Sequence, residues 1–244
     1  MKLASAVLAG LTLIVSACGA RERFPGQPGP GPEAVRPDEV MSFAALYGAN
    51  CAGCHGAEGR GGAAQSLHDP LYLALADDGT IRRVVRSGIR GTPMPAFARA
   101  AGGMLTDAQV DAIVAGVRAW ADPVAVLGLD LPPYATHDPG DAKRGAGVYG
   151  AYCASCHGAN GQGSERASSI VDGSYLALVS NQSLRTTVIV GRPELGHPDF
   201  RGSPPGKPMS AGEVSDVVAW LTAQRPEVAG QPYPAVRAAV GERP

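Results

Sequence analysis

The 244-residue chain is short of aromatic side chains: four phenylalanines, two tryptophans and seven tyrosines, 5% of its residues. For two small bodies that is a thin supply of the large side chains that usually fill a core. It also lacks net charge of either sign, with 21 lysines and arginines against 22 aspartates and glutamates. No basic face is implied, so a nucleic-acid partner is not expected. Long hydrophobic runs are missing too. The one candidate, Leu3 to Val15, falls short of the roughly 20 apolar residues that cross a bilayer. Cysteine is limited to five residues. Glycine (33) and proline (21), by contrast, make up about 22% of the chain, against a usual share of roughly 12%. Something other than side chains is expected to occupy the interior.

Lys2, the apolar run and the small residues before Cys18 read as a secretory signal over residues 1–17. Val15-Ser16-Ala17-Cys18 also resembles the lipobox of bacterial lipoproteins, which implies lipidation of Cys18. An ordinary cleavage site with a stray thiol is the alternative. More than one acyl chain on that cysteine gives stable anchoring. Residues 18–37 form a tether, since Phe24-Pro25-Gly26-Gln27-Pro28-Gly29-Pro30-Gly31-Pro32 supports neither helix nor sheet ladder. A second loose stretch, with Pro123, Pro132, Pro133 and Pro139, separates two organised regions. The layout is a module over 38–120, a linker over 121–138, a module over 139–224 and a proline-rich tail over 225–244.

The two modules are one repeat. Tyr47-Gly48-Ala49-Asn50-Cys51-Ala52-Gly53-Cys54-His55-Gly56-Ala57 recurs 102 residues later as Tyr149-Gly150-Ala151-Tyr152-Cys153-Ala154-Ser155-Cys156-His157-Gly158-Ala159. At an offset of 103, Tyr72-Leu73-Ala74-Leu75 matches Tyr175-Leu176-Ala177-Leu178, and Arg82, Gly88 and Phe97 match Arg185, Gly191 and Phe200. At an offset of 104, Val110, Ile113, Val114 and Val117 match Val214, Val217, Val218 and Leu221. Those positions lie on one helix face. Thr106-x-x-Gln109 and Ser210-x-x-Glu213 are capping-box patterns ahead of them. Each module thus reads as a short helix into a cysteine motif, a glycine-rich loop, helical turns and a closing amphipathic helix. The expected fold is all-α.

Four of the five cysteines fall in two Cys-x-x-Cys-His motifs. On a helical turn the two thiols and the following imidazole share one side. That arrangement suits two thioethers to haem vinyl groups with the histidine reaching iron, and it is the attachment motif of c-type haem. A thioredoxin-like dithiol needs a βαβ context that is absent. A zinc site needs four convergent ligands, and the motifs are a hundred residues apart. Paired structural disulfides do not account for the histidine in both copies. Two covalently bound haems c are therefore expected, on Cys51 and Cys54 and on Cys153 and Cys156.

The assembled pattern resembles a dihaem class I cytochrome c over roughly residues 38–120 and 139–224. The resemblance implies His55 and His157 as proximal iron ligands, with a sixth ligand from a loop before the last helix, often a methionine beside proline. In the first module Gly91-Thr92-Pro93-Met94-Pro95 offers Met94. In the second, the repeat register places His197 opposite Met94, whereas Met209, in Lys207-Pro208-Met209-Ser210, fits the Pro-Met habit and answers by register to Leu105. His197 is the expectation and Met209 the alternative. Arg82 and Arg185 are candidate propionate partners, with solvated helix arginines as the rival reading. Tyr72 and Tyr175 are expected in the core, with donation to a propionate as the alternative. His68 and His137 have no repeat partner with ligand chemistry and are expected to be exposed or locally hydrogen-bonded.

The function implied is one-electron transfer by a lipid-anchored dihaem cytochrome c on the periplasmic side of a bacterial membrane. Its partners would be other redox proteins or a respiratory complex, since such modules resemble cytochrome subunits of quinol-oxidising and oxidase complexes. No catalytic residue and no small-molecule substrate are expected if both irons are six-coordinate. The alternative is a haem enzyme, such as a dihaem peroxidase or a haem-dependent dehydrogenase. A haem-based sensor would need a signalling module, which is absent.

Overall fold

Thr106 and Ser210 each accept a hydrogen bond from the backbone three residues on, at 3.2 Å, and the side chains of Gln109 and Glu213 return it to the N-cap backbone at 3.0 and 2.9 Å. These capping boxes start the closing helix of each half and satisfy N–H groups that have no partner inside the helix. The computed structural model describes residues 35–202 and 207–226. The signal, Cys18, nearly all of the tether and the tail beyond Pro226 lie outside the described residues.

The first half comprises α1 (Phe43–Asn50), α2 (Ala52–His55), α3 (Pro70–Leu75), α4 (Asp78–Ser87) and α5 (Asp107–Arg118). The second repeats the order in α6 (Ala142–Tyr152), α7 (Ala154–His157), α8 (Gly173–Leu178), α9 (Asn181–Val190) and α10 (Ala211–Ala223). Among the described residues there is no strand, only isolated bridges between Ala98 and Leu105 and between Arg192 and His197. The fold is all-α, and both halves lie in one unit running from Pro37.

The repeated face is the buried one. Val110, Ile113, Val114 and Val117 of α5 are at most 2% exposed; in α10 Val214, Val217 and Leu221 are at most 4% exposed and Val218 is half-buried. Each closing helix crosses the helix that leads into its cysteine motif, and the two crossings solve the same packing problem with opposite residues. In the first half Phe43 of α1 lies on Gly116 of α5, where a Cβ would sit 2.0 Å from the ring. In the second half the glycine is Gly145 of α6, where a Cβ would sit 2.0 Å from the Asp216 carbonyl and 2.8 Å from the Trp220 Cβ. Phe43 aligns with Gly145 and Gly116 with Trp220, so large and small have exchanged sides across the crossing.

A second exchange involves arginine. Arg118 pairs with Asp78 at 2.6 Å and donates to the carbonyls of Leu73 and, at 2.5 Å, Ala76. Arg225 makes the equivalent set with Asn181, Leu176 (3.1 Å) and Val179 (2.7 Å). By register Arg118 answers to Thr222, so the same clamp is delivered one helical turn later. Arg225, the first residue of the expected tail, thus belongs to the packing of the second half.

The segment over 121–138 was expected to be loose, and here the structure differs. Val126, Leu129, Leu131 and Tyr134 pack against the first core, and Leu131 also reaches the Tyr152–Met209 cluster of the second half. The Pro133 carbonyl accepts from Arg185 Nε at 3.0 Å and the Tyr134 carbonyl from Gln182 Nε2 at 2.8 Å. Prolines exclude helix and ladder, but they leave carbonyls free to be bonded from outside.

Between α6 and α10, Arg144 binds both oxygens of Asp216 at 2.8 Å, and the Asp141 N–H adds a bond at 2.7 Å. The hydrogen bonds from Arg144 hold the Asp216 carboxyl below the ordinary aspartate range. A carboxyl whose pKa is lower when folded stabilises the fold above its unfolded pKa, and this is lost as pH falls through the folded value. Asp216→Asn is therefore expected to lower the melting temperature by a constant amount above about pH 5, the two curves converging below about pH 4. A pH series of thermal melts checks this.

Candidate haem sites

The two cysteine motifs are held in the same way. Cys51 and Cys153 end the preceding helices, each donating its N–H to the carbonyl of Tyr47 or Tyr149 at 2.8 Å. Each then accepts from the histidine four residues on at 3.0 Å, which wraps the motif into a single turn. Gly56 (φ +84°) and Gly158 (φ +79°) stop that turn in a left-handed conformation. Tyr47 Oη donates to the Gly56 carbonyl at 3.0 Å, and Tyr149 Oη does the same to Gly158.

The histidines are oriented by the glycine-rich loops. His55 Nδ1 lies 2.8 Å from the Gln65 carbonyl, and His157 Nδ1 lies 2.8 Å from the Ser168 carbonyl. A carbonyl only accepts, so Nδ1 carries the proton in both rings and the Nε2 lone pair is left for another partner. This is the arrangement that fixes a metal-binding imidazole. None of the four motif cysteines forms a disulfide among the described residues. Burial pushes Cys51 and Cys153 up to about 11, with the neighbouring cysteine adding to the rise. A redox dithiol needs the opposite shift. No group of three or more metal-binding side chains occurs among the described residues, which leaves no zinc cluster there.

The loops expected to carry the sixth ligands superpose in their hydrogen bonds. Ile89 N–H donates to the Met94 carbonyl at 3.0 Å, and Arg192 N–H to the His197 carbonyl at 3.0 Å. Gly88 and Gly191 let these loops press against the preceding helices. A Cβ there would come within 2.6 Å of the Pro95 and Pro198 backbones, respectively. Further on, Leu105 N–H donates to the Phe97 carbonyl at 2.8 Å and Met209 N–H to the Phe200 carbonyl at 2.9 Å. His197 thus occupies the place of Met94, and Met209 the place of Leu105. Met209 is 8% exposed among Tyr152, Ile189, Phe200 and Val214. Met94 is half-buried, its N–H held by Thr92 Oγ1 at 3.2 Å.

The His157 and His197 rings come together with centroids 6.0 Å apart and planes inclined at 53°. With a metal–nitrogen bond of about 2 Å and about 1 Å from nitrogen to ring centre, that separation would let both imidazoles bind one metal ion. Nδ1 of His197 is buried with no hydrogen-bond partner. Burial and the neighbouring His157 lower the His197 pKa, which keeps the ring neutral and able to bind a metal.

The recurrent arginines reach the same position on the closing helix but do not share a role. Arg82 pairs with Asp111 at the surface, 42% and 53% exposed, so it is spent on a carboxylate of the chain's own. In the second half that aspartate is replaced by Ser215. Arg185, only 4% exposed, bonds Ser215 Oγ at 3.2 Å and the Pro133 carbonyl, with Nη2 left unpartnered. Tyr152 Oη is also buried without a partner. Tyr152 was missed in the sequence; it stands where the first repeat has Asn50, and that departure was the available signal. Tyr72 lies in the first core, and Tyr175 is half-buried against the Leu176–Leu221 cluster. His68 stacks on Trp120 at 5.0 Å with Nδ1 on the Glu58 carbonyl, and His137 is exposed.

Comparison with known proteins agrees with this arrangement. The family model described as cytochrome c oxidase, cbb3-type, subunit III matches residues 38–115 and 140–221, one segment per repeat. The cbb3-type cytochrome c oxidase subunit FixP of Azorhizobium caulinodans is 30% identical over 169 residues, 63% of this chain and 53% of that protein. The CcoP subunits of Azospirillum sp. (strain B510) and Azospirillum brasilense are 31% and 30% identical over 147 and 176 residues. Those alignments cover 54% and 63% of this chain, and 45% and 55% of those proteins. The chain spans about half the length of these curated relatives. With both repeats matched, the chain belongs to the family of cytochrome c oxidase, cbb3-type, subunit III.

Proposed function

We propose that the chain is a dihaem electron carrier acting as a subunit of a respiratory oxidase, with one c-type haem in each half. The observation that carries this reading is the duplicated motif with its histidine locked through Nδ1 and, in the second half, a second histidine ring at 6.0 Å. Cys51 and Cys54 would hold the first haem and Cys153 and Cys156 the second. His55 and Met94 would bind one iron, and His157 and His197 the other. The haems supply one-electron cycling between ferrous and ferric iron.

The chain's own residues orient and neutralise. A carbonyl behind each proximal histidine fixes its tautomer, and Tyr47 and Tyr149 brace the end of each motif. Arg185 has no bonded carboxylate of its own, and Tyr152 has no acceptor. Both could be met by a haem propionate, which supports the sequence expectation for Arg185 but not for Arg82. Two ligands on each iron leave no position for a substrate, which favours a carrier over a peroxidase or dehydrogenase. The cbb3-type oxidase subunits among its relatives support a respiratory complex as partner. Lipidation at Cys18 and a place on the periplasmic side of the membrane complete the proposal. They rest on the sequence of residues 1–18.

The reading is tested on the exported protein by intact mass and ferric paramagnetic resonance. Two covalent haems per chain, both low-spin, with no turnover of peroxide are expected. An unmodified, colourless polypeptide, or a high-spin centre that turns over peroxide, overturns it.

A further inference from the structure

Arg192 stands where the second repeat departs from the first and where the two halves meet. Its counterpart is Ile89. Both residues use the backbone N–H to hold the carbonyl of the ligand-loop residue at 3.0 Å, Met94 in one case and His197 in the other. Arg192 also takes the return bond from His197 N–H at 3.0 Å, which closes an isolated antiparallel bridge. Its side chain then leaves the second half. Nη2 donates to the Gly62 carbonyl at 2.6 Å and Nη1 to the Ala63 carbonyl at 3.4 Å.

Those carbonyls belong to the loop that folds back on the first cysteine motif. A Cβ on Gly62 would lie 2.1 Å from the Cys54 carbonyl, and Ala64 N–H donates to that carbonyl at 2.9 Å. Gln65, the next residue, orients His55. The Arg192 side chain is 12% exposed and its Nε meets Glu194 Oε1 at 2.6 Å, with Glu194 itself 20% exposed. An isoleucine at this position has no donor for either carbonyl.

We propose that Arg192 is the positioning residue that couples the two iron sites, its backbone holding the His197 loop and its guanidinium holding the loop that orients His55. The inference rests on the dihaem reading above. A rigid fork across two carbonyls fixes the relative placement of the loops, which a flexible ammonium does less well. It also sets one positive charge close to both sites, and little water screens it there. The same charge disfavours ferric iron in either site and so raises both reduction potentials. Glu194 opposes it.

Redox titration of the full-length dihaem protein, with the two centres followed separately by their ferric resonance signals, tests this. Arg192→Gln is expected to lower both midpoint potentials and Glu194→Gln to raise both. Arg192→Lys is expected to keep the potentials near wild type while slowing electron exchange between the centres several-fold. A purely structural role would move only thermal stability. Potentials that stay put in the charge variants, or a shift confined to the second haem, overturn the inference and leave the dihaem reading standing. Loss of haem from the wild-type protein overturns that reading instead. Should Arg192→Gln fail to assemble, Glu194→Gln still decides.

Discussion

Replacing Cys153 and Cys156 together by alanine is expected to leave one covalent haem and a second half that no longer folds to a protease-resistant body. The equivalent change at Cys51 and Cys54 is expected to be milder. The first half packs a single contiguous cluster of sixteen buried residues, from Leu46 to Val117 plus Val190. Among the described residues the second half encloses eleven apolar side chains against fifteen in the first, and divides most of them between clusters around Phe200 and around Leu176. Fully burying a large aliphatic side chain yields about 1.5–3 kcal/mol, while ordering each residue costs about 1–2 kcal/mol in backbone entropy alone. A half whose enclosed side chains are fewer and divided in this way is closer to balance and would gain more from an apolar group at its centre. It also buries the Arg185 guanidinium with one nitrogen unpartnered, which is costly until an anion arrives. Limited proteolysis followed by mass analysis reads the outcome. A second half that stays intact in the Cys153/Cys156 double variant would show that its own side chains are sufficient.

The scarcity of aromatics pointed the same way from the sequence, and so did the repeat. Helix type and order, both capping boxes, the buried face of α5 and α10 and the turn geometry of each motif follow from short-range patterns that register one residue at a time. Exchanges between partners that lie far apart in sequence were not legible. The Phe43–Gly116 crossing and its reversed copy Gly145–Trp220 read, position by position, as four unrelated differences. Arg118 and Arg225 fail to align at all, because a clamp defined by three acceptors can be reached from either of two successive turns. The linker misled for a related reason. Proline content reports which bonds a segment cannot donate, whereas Pro133 and Tyr134 are held through the carbonyls they offer. Arg82 and Arg185 recurred together and invited one role. Whether the residue opposite is Asp111 or Ser215 decides if the charge is spent within the chain.

His197→Ala is expected to convert one of the two low-spin ferric centres to high spin and to let carbon monoxide bind the corresponding ferrous haem, while Met209→Leu leaves both spectra unchanged. The two candidates lie only twelve residues apart, and the family habit of a proline before methionine favours Met209. Three contacts argue against it. The Arg192–His197 bridge repeats the Ile89–Met94 bond at the same length, the Phe200–Met209 bond repeats Phe97–Leu105, and the His157 and His197 rings lie 6.0 Å apart. Met209 therefore fills a core slot that leucine fills in the other half. Leucine for methionine there is a volume-conserving change costing under about 1.5 kcal/mol. His197→Met would make the second site chemically the same as the first. Because methionine ligation raises the potential of a haem relative to a second imidazole, that variant is expected to draw the two midpoints together. On the proposed ligation the order of potentials has a structural origin: the histidine-ligated centre would lie lower, and electrons would run from the second half toward the first. Loss of a low-spin signal in Met209→Leu, with none in His197→Ala, would reverse the assignment and remove the basis for that direction of flow.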